Sequence, residues 1–362
     1  MRQAACLACF LFLLTFPAGA DAQIAKPWPE ADRLFRSDPL WLGGDAAFSV
    51  DLGRGRVLWL FGDSFVGPAL RATRQQSTFV RNSIAVETGY DPSQATIKFY
   101  EGRRNGGIGD FAPTGDQTWL WPLDGIRLGH RLLLFYMRIA PDPTKFSLGF
   151  RPVGWTGFLI DNPDAEPSRW ALRNVEGPEM HGRMLIGMSL IRLSGYVYAF
   201  ALERLTHDAY LLRWPVRDAA QSALSAPQWW CGARSGWLTA PERRQAVIED
   251  AGAEFSVQSA PRGAGFIEVN SAGFGATTIV WRHAAHLEGP WSEAQALYRP
   301  PESAAHDALV YGAKSHPELA GADLVLTYTA NGPADRVVND MSLYFPRFVR
   351  VDMGAPHKQS AH

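Results

Sequence analysis

Asp45-Ala-Ala-Phe-Ser-Val50, Asp51-Leu-Gly-Arg-Gly55 and Arg56-Val-Leu-Trp-Leu-Phe61 read as a strand, a tight turn and a very apolar second strand. Glycines inside the central piece supply the turn, and the β-branched and aromatic residues after it suit a pleated, buried surface. The same plan recurs four times. Trp119-Leu-Trp-Pro-Leu-Asp124 turns at Gly125 to Gly129 into Arg131-Leu-Leu-Leu-Phe-Tyr136. Met184 to Ile191 turns at Ser194-Gly195 into Tyr196-Val-Tyr-Ala-Phe200, and Glu254-Phe-Ser-Val-Gln258 turns at Arg262-Gly263 into Gly265-Phe-Ile-Glu-Val269. The last is Tyr311-Gly-Ala-Lys-Ser-His316, a turn at Ala320 to Ala322, and Asp323-Leu-Val-Leu-Thr-Tyr328. Turn centres near residues 53, 127, 194, 263 and 321 are separated by 74, 67, 69 and 58 positions.

Regular recurrence of strands alone is the mark of radial repetition. The predicted fold is therefore all-β, a five-bladed β-propeller in which each small sheet covers its neighbours and exposed edges stay short. A two-sheet sandwich is the competing architecture. Each hairpin is followed by further strand-like sequence, as four-stranded blades require: Phe79 to Val86 after the first, Trp155 to Ile160 after the second, Ala209 to Trp214 after the third. The fifth has only Met341 to Val351 after it, so an outer strand is missing; the stretch Asp32 to Ser37 is the candidate to supply it.

The N-terminus carries a positive start at Met1-Arg2, an apolar run from Ala4 to Phe16, and small residues at Ala18 to Ala22. That pattern predicts a signal peptide over residues 1–22, cut after Ala20 or Ala22, and hence a secreted or periplasmic protein. The apolar run is shorter than the roughly 20 residues a spanning helix needs, and no later segment qualifies, so no membrane span is expected after cleavage. The domain is expected over 23–353, with a disordered tail at 354–362. Of three cysteines, Cys6 and Cys9 fall in the leader and only Cys231 remains. An intrachain disulfide and a Cys/His zinc site are excluded by count. Net charge is −1 with both signs interleaved, which argues against nucleic acid as a partner. Thirteen tryptophans suit both a propeller core and the stacking of sugar rings. No cofactor and no metal are expected, and a monomer is.

In a propeller the starts of inner strands and the ends of second strands meet at one mouth of the central channel. The hairpin plan places Asp45 and Asp63 there as neighbours, each preceded by glycine, in Trp41-Leu-Gly-Gly-Asp45 and Trp59-Leu-Phe-Gly-Asp63-Ser64. Two carboxylates at one cleft are what glycoside hydrolysis uses: one protonates the leaving oxygen, the other attacks the anomeric carbon or activates water. The bland alternative is a turn cap at Asp45 and an ion pair from Asp63 to Arg81 or Arg138. Glu254 is a third candidate catalytic carboxylate, or else a partner of Lys314 or Arg138. Asn82, Trp121, Arg138, Lys314, His316 and Asn331 are expected to line a sugar site, with a structural role for His316 as the alternative. Glu176 and Glu179 are weaker acid candidates.

The run from Trp41 to Ser64, then Arg81-Asn-Ser83, Glu254-Phe-Ser-Val257, Glu288-Gly-Pro-Trp291 and Tyr311-Gly-Ala-Lys-Ser-His-Pro-Glu318, resembles a family of secreted bacterial propellers long catalogued as a domain of unknown function. The wider group it resembles is the five-bladed propeller superfamily of glycoside hydrolases, with arabinanases and fructosidases among its members. Some members of the closer family are endo-acting D-arabinan hydrolases. The resemblance implies that Asp45 and Asp63 are the catalytic carboxylates and that the partner is a furanose-type poly- or oligosaccharide. The second and third blades match poorly, and a non-catalytic glycan-binding propeller is the alternative function.

Overall fold

The structure, a computed structural model, describes residues 24–144, 148–273, 275 and 277–353. The predicted leader and the predicted tail lie outside the described residues. The chain is predominantly β, with short helices at Pro29–Asp32, Val216–Ala220 and Ala334–Asn339.

All five expected hairpins are present, and each is the inner half of an antiparallel sheet. The first sheet runs Phe48–Gly53, Arg56–Phe61, Ser83–Thr88 and Thr96–Tyr100; the second runs Trp119–Leu128, Arg131–Pro141, Phe150–Ile160 and Arg173–Val175. The third runs Met184–Leu193, Tyr196–Glu203, Ala209–Pro215 and Gln228–Trp230, extended at its edge by Trp237–Leu238, with Ala246–Ile248 also on its third strand. The fourth runs Phe255–Ser259, Phe266–Ala272, Thr278–Ala284 and Gln295–Tyr298.

The fifth sheet corrects one expectation. After Leu309–Ser315, Leu324–Asn331 and Pro346–Asp352, its outer strand is Ile24–Pro27, not the Asp32–Ser37 stretch. Leu34 and Phe35 are adjacent and both buried, which a strand with one covered face does not allow, and they form a 3-10 turn instead. Phe35 lies edge-on to Trp59 at 4.8 Å and stacked on Phe348 at 5.0 Å, joining the first sheet to the fifth.

Second strands such as Val57–Phe61 and Leu132–Tyr136 are buried on both faces, because each sheet is covered by its neighbours. The inner strands touch in chain order, first to second, second to third, third to fourth and fourth to fifth. Polar side chains pin each to the next. Arg127 donates to Leu52 O, and Asp124 Oδ2 accepts the Leu190 N–H at 2.7 Å. Ser189 Oγ accepts the Val257 N–H at 2.9 Å, and Ser256 Oγ accepts the Ser315 N–H at 2.7 Å. The fifth sheet is bonded back to the first where Ser49 Oγ meets His316 Nδ1 at 2.6 Å. Buried strand ends would otherwise leave polar groups unpaired, and these bonds satisfy them across sheet boundaries.

Candidate active site

Asp45 closes Trp41–Gly44 and sits just before the inner strand of the first sheet. Its carbonyl accepts the N–H groups of Ala47 and Gly62 at 3.0 and 3.1 Å, which folds the chain back on itself. The turn forces Ala46 and Ala47 into left-handed backbone, φ 68° and 56°, at a cost of about 1–2 kcal/mol each. Asp63 follows Arg56–Phe61, so the hairpin returns it to the same end.

The glycines of the two motifs now have reasons. A Cβ on Gly62 would lie 2.5 Å from Asp45 Oδ1, so the Asp45 carboxylate rests on bare backbone beside Asp63. A Cβ on Gly43, at φ +120°, would lie 2.4 Å from the carbonyl oxygen of Tyr344. Gly62→Ala is expected to fold, since the side chain it meets can swing, but to displace the Asp45 carboxylate. Misplacement of about 1 Å costs on the order of a hundredfold in rate. Turnover and thermal melting measured side by side check this; equal turnover in the variant refutes it.

The two carboxylates have different surroundings. Asp45 Oδ2 accepts two phenolic hydrogens, from Tyr311 at 2.7 Å and Tyr344 at 3.1 Å. Asp63 Oδ1 accepts the indole N–H of Trp121 at 2.9 Å, and Arg81 lies 3.3 Å from Asp63 Oδ2. Arg81 in turn lies over the Trp119 ring at 4.3 Å. Burial, reinforced by the neighbouring Asp63 charge, pushes Asp45 up to about 7. Burial also lifts Asp63, to about 6, against the pull of Arg81 and Trp121. The Asp63 charge acts on Asp45, so the two titrate as coupled groups and not independently. Burial and the Asp45 charge raise both tyrosines well above the usual phenol range, so they remain neutral donors.

The other expected residues divide. Glu254 stands near Asp45 and is held by Lys314 Nζ at 2.5 Å, so the ion-pair alternative for it is realised. Lys314 is 1% exposed and lies over the Phe48 ring at 4.3 Å. Trp121 is at the pair, half-buried, edge-on to Phe150 at 4.6 Å. Asn331 Nδ2 donates to the Tyr311 hydroxyl at 3.1 Å and so serves Tyr311.

Asn82 is a correction. Its amide donates to Ala112 O at 3.0 Å and Leu120 O at 2.9 Å and accepts the Ala112 N–H at 2.6 Å, so it ties the first sheet to the second with no donor left for a sugar. His316 is another. Both ring nitrogens are bonded, to Ser49 Oγ and to Thr327 Oγ1 at 2.7 Å, and burial drives it down to about 3, which keeps it neutral. It lines a cavity of about 590 Å³ that follows Phe48–Gly53 toward the hairpin turns, away from Asp45. Arg138 is engaged by Asp116 and by Thr118 Oγ1 at 3.0 Å on the loop before the second sheet. Glu176 and Glu179 are exposed.

Sequence reasoning missed Tyr311, Tyr344 and Arg74. Tyr311 opens the fifth hairpin as read from the sequence, just as Trp119 opens the second, and that rule points to it, although in the structure its strand begins at Leu309. The strand is bulged between Tyr311 and Lys314, which separates their directions. Tyr344 is left-handed, φ 61°, on a loop that Arg74 holds: the buried guanidinium donates to Leu42 O at 2.7 Å, Val337 O at 2.5 Å, Asp340 O at 3.1 Å and Leu343 O at 2.6 Å. Among the described residues no cluster of His, Cys, Asp and Glu is arranged to hold a metal ion, and no helix is long and apolar enough to cross a membrane.

No curated protein matches the chain. Among solved structures, a protein of Bacteroides ovatus described provisionally as a hydrolase is 17% identical, with a TM-score of 0.71 over 93% of each chain. An α-L-arabinofuranosidase of Podospora anserina is 12% identical, with a TM-score of 0.48 over 87% of this chain and 92% of that one. An endo-arabinase of Bacteroides thetaiotaomicron is 13% identical, with a TM-score of 0.45 over 87% and 95%. The first likeness is a shared fold; the other two are more distant. A family model described as a domain of unknown function, DUF5005, matches residues 30–353, and the chain belongs to that family.

Proposed function

We propose that this chain is an exported glycoside hydrolase, built as a five-bladed propeller, that cleaves a furanose-type, arabinan-like polysaccharide at Asp45 and Asp63. The observation that carries this reading is two half-buried carboxylates, Asp45 and Asp63, in unlike surroundings at one end of the inner strands. Burial, and at Asp45 the neighbouring Asp63 charge, raise both carboxyls toward neutral pH and Asp45 further than Asp63, the asymmetry an acid–base pair for acetal cleavage uses. Trp121 hydrogen-bonds Asp63, and Trp119 and Phe150 lie edge-on to Trp121, aromatic surface beside the carboxylates of the kind whose faces stack on sugars. Glu254 stands by as a charge neighbour neutralised by Lys314. The five sheets, joined in order and bonded from last to first, support the propeller reading. The leader-like N-terminus supports export.

The test is incubation of the purified protein with a panel of cell-wall polysaccharides, with product analysis by chromatography and anomeric NMR. Release of oligosaccharides by the wild type, with at least a thousandfold loss in Asp63→Asn, is expected. An Asp63→Asn protein that cleaves as fast as wild type overturns the proposal. Binding without turnover would assign a glycan-binding module instead.

A further inference from the structure

We infer that Asp45 is the general acid of the pair, with Tyr311 and Tyr344 fixing its transferable proton on Oδ1, the oxygen that lies against Gly62. This rests on the hydrolase reading above and adds the division of labour within it.

The argument is one of lone pairs. Oδ2 of Asp45 accepts from both phenols, at 2.7 and 3.1 Å, which uses its acceptor sites. Tyr311's oxygen accepts from Asn331 Nδ2 at 3.1 Å, and this directs the phenol hydrogen to Asp45. A proton on Asp45 is thus left only Oδ1, against the bare backbone of Gly62. Charge argues the same way. The groups facing Asp45 are Asp63, Glu254 and the two phenols, none of them a cation, and the nearest ammonium, that of Lys314, is taken by Glu254. Asp63 has the Arg81 guanidinium and the Trp121 N–H, with Asp110 nearby engaged by the Arg81 backbone N–H at 2.7 Å. The single negative charge of the pair settles on Asp63. The lift of Asp45 to about 7 against about 6 for Asp63 has the same order.

The fold holds Tyr344 in place against its backbone preference. A non-glycine residue at φ 61° is disfavoured, and such strain persists where surroundings over-determine it. Here Arg74 grips the preceding carbonyl, of Leu343, and Gly43 leaves room for Tyr344's own. In the reaction, the glycosidic C–O bond breaks with its electron pair leaving on oxygen, and that oxygen takes the Asp45 proton. The anomeric carbon is taken by the Asp63 carboxylate, or by a water that Asp63 deprotonates.

Three measurements test the assignment. In pH profiles of kcat/KM, Tyr311→Phe and Tyr344→Phe each remove a bond that favours ionised Asp45, so the alkaline limb is expected to move up by about 0.5–1 unit while the acid limb stays. Movement of the acid limb instead overturns it. Asp45→Asn is expected to regain turnover on an aryl arabino-oligosaccharide whose dinitrophenol needs no proton, and Asp63→Asn is not; the reverse overturns it. Infrared spectra of the resting protein at pH 6 need no substrate. If Asp45 carries the proton on Oδ1, its carbonyl oxygen is Oδ2, and Tyr311→Phe shifts one carboxyl C=O band to higher wavenumber. An unshifted band refutes the assignment even if no polysaccharide is cleaved, whereas a shifted band with no cleavage refutes only the hydrolase reading.

Discussion

Asp45→Asn is expected to lose at least a thousandfold of kcat/KM on the cleaved polysaccharide and, at pH 8, to melt at a higher temperature than wild type. The loss follows from removing the proposed proton donor, since a positioned acid contributes about 10²–10⁴-fold and the two carboxylates are proposed to act together. The gain follows from linkage. Asp45 has a folded value of about 7, raised from 3.8, because burial and Asp63 oppose its charge. A carboxyl raised on folding stabilises the native state fully below its unfolded value, and that contribution is lost as pH rises through the folded one. The window is therefore about pH 4 to 7, and above it the wild type bears the full cost of a buried charge. An amide can still accept from Tyr311 and Tyr344 and has no charge to bury. The expected gain at pH 8 is about 1–3 kcal/mol, given 1.36 kcal/mol for each unit of difference and the sharing of charge with Asp63. Calorimetric melting at pH 4 and pH 8 checks it: the gain vanishes at the lower pH. A variant no more stable than wild type at pH 8 contradicts the account.

Arg74→Met is expected to be the most damaging single change away from the carboxylates. The guanidinium has no carboxylate bonded to it; it serves four carbonyls from both sides of the junction between the first and fifth sheets. Its charge lies 5.5 Å from the Phe65 ring and 5.3 Å from that of Phe345. Burial, with repulsion from Arg36, brings it down to about 10, which still leaves it charged at neutral pH. Methionine fills the space but orphans the carbonyls, and each unsatisfied buried group costs about 1–3 kcal/mol, with water and relaxation recovering part. A net loss of about 3–5 kcal/mol is expected, read as a fall in urea midpoint at unchanged slope. Turnover should fall as well, because Tyr344 loses its anchor. A midpoint within experimental error of wild type would show that the carbonyls find other donors.

The hairpins were legible because alternation, glycine turns and apolar second strands are local signals. That Asp45 and Asp63 lie at the same end of the first sheet was legible for the same reason, since one hairpin returns the chain there; their proposed joint role is for experiment to test. Roles set by contacts between sheets were not. Tyr311 and Tyr344 reach Asp45 across 266 and 299 positions of chain, and no spacing rule spans that distance. Asn82 and His316 have the right chemistry for sugar hydroxyls, yet both spend it on neighbouring sheets, a choice that depends on partners and not on residue type. The outer strand of the fifth sheet was misplaced because Ile24–Pro27 is four residues long and ends in proline, too little for a periodic pattern. Among the tryptophans, Trp59, Trp214 and Trp229 are fully buried while Trp119 and Trp121 stand by Asp63, and composition alone does not separate the two groups.

Ile24 and Asp352 are cross-strand partners, so the two extremities of the described chain lie in a single sheet. The described chain from Ile24 to Asp352 is thereby a loop closed by strand pairing, and the entropic cost of that long closure is met only when the last strand docks. Four sheets can assemble while synthesis proceeds, but the fifth waits until Pro346–Asp352 has been made. Until then the first and fourth sheets each lack the neighbour that covers them in the folded chain, and that flank is open to proteases.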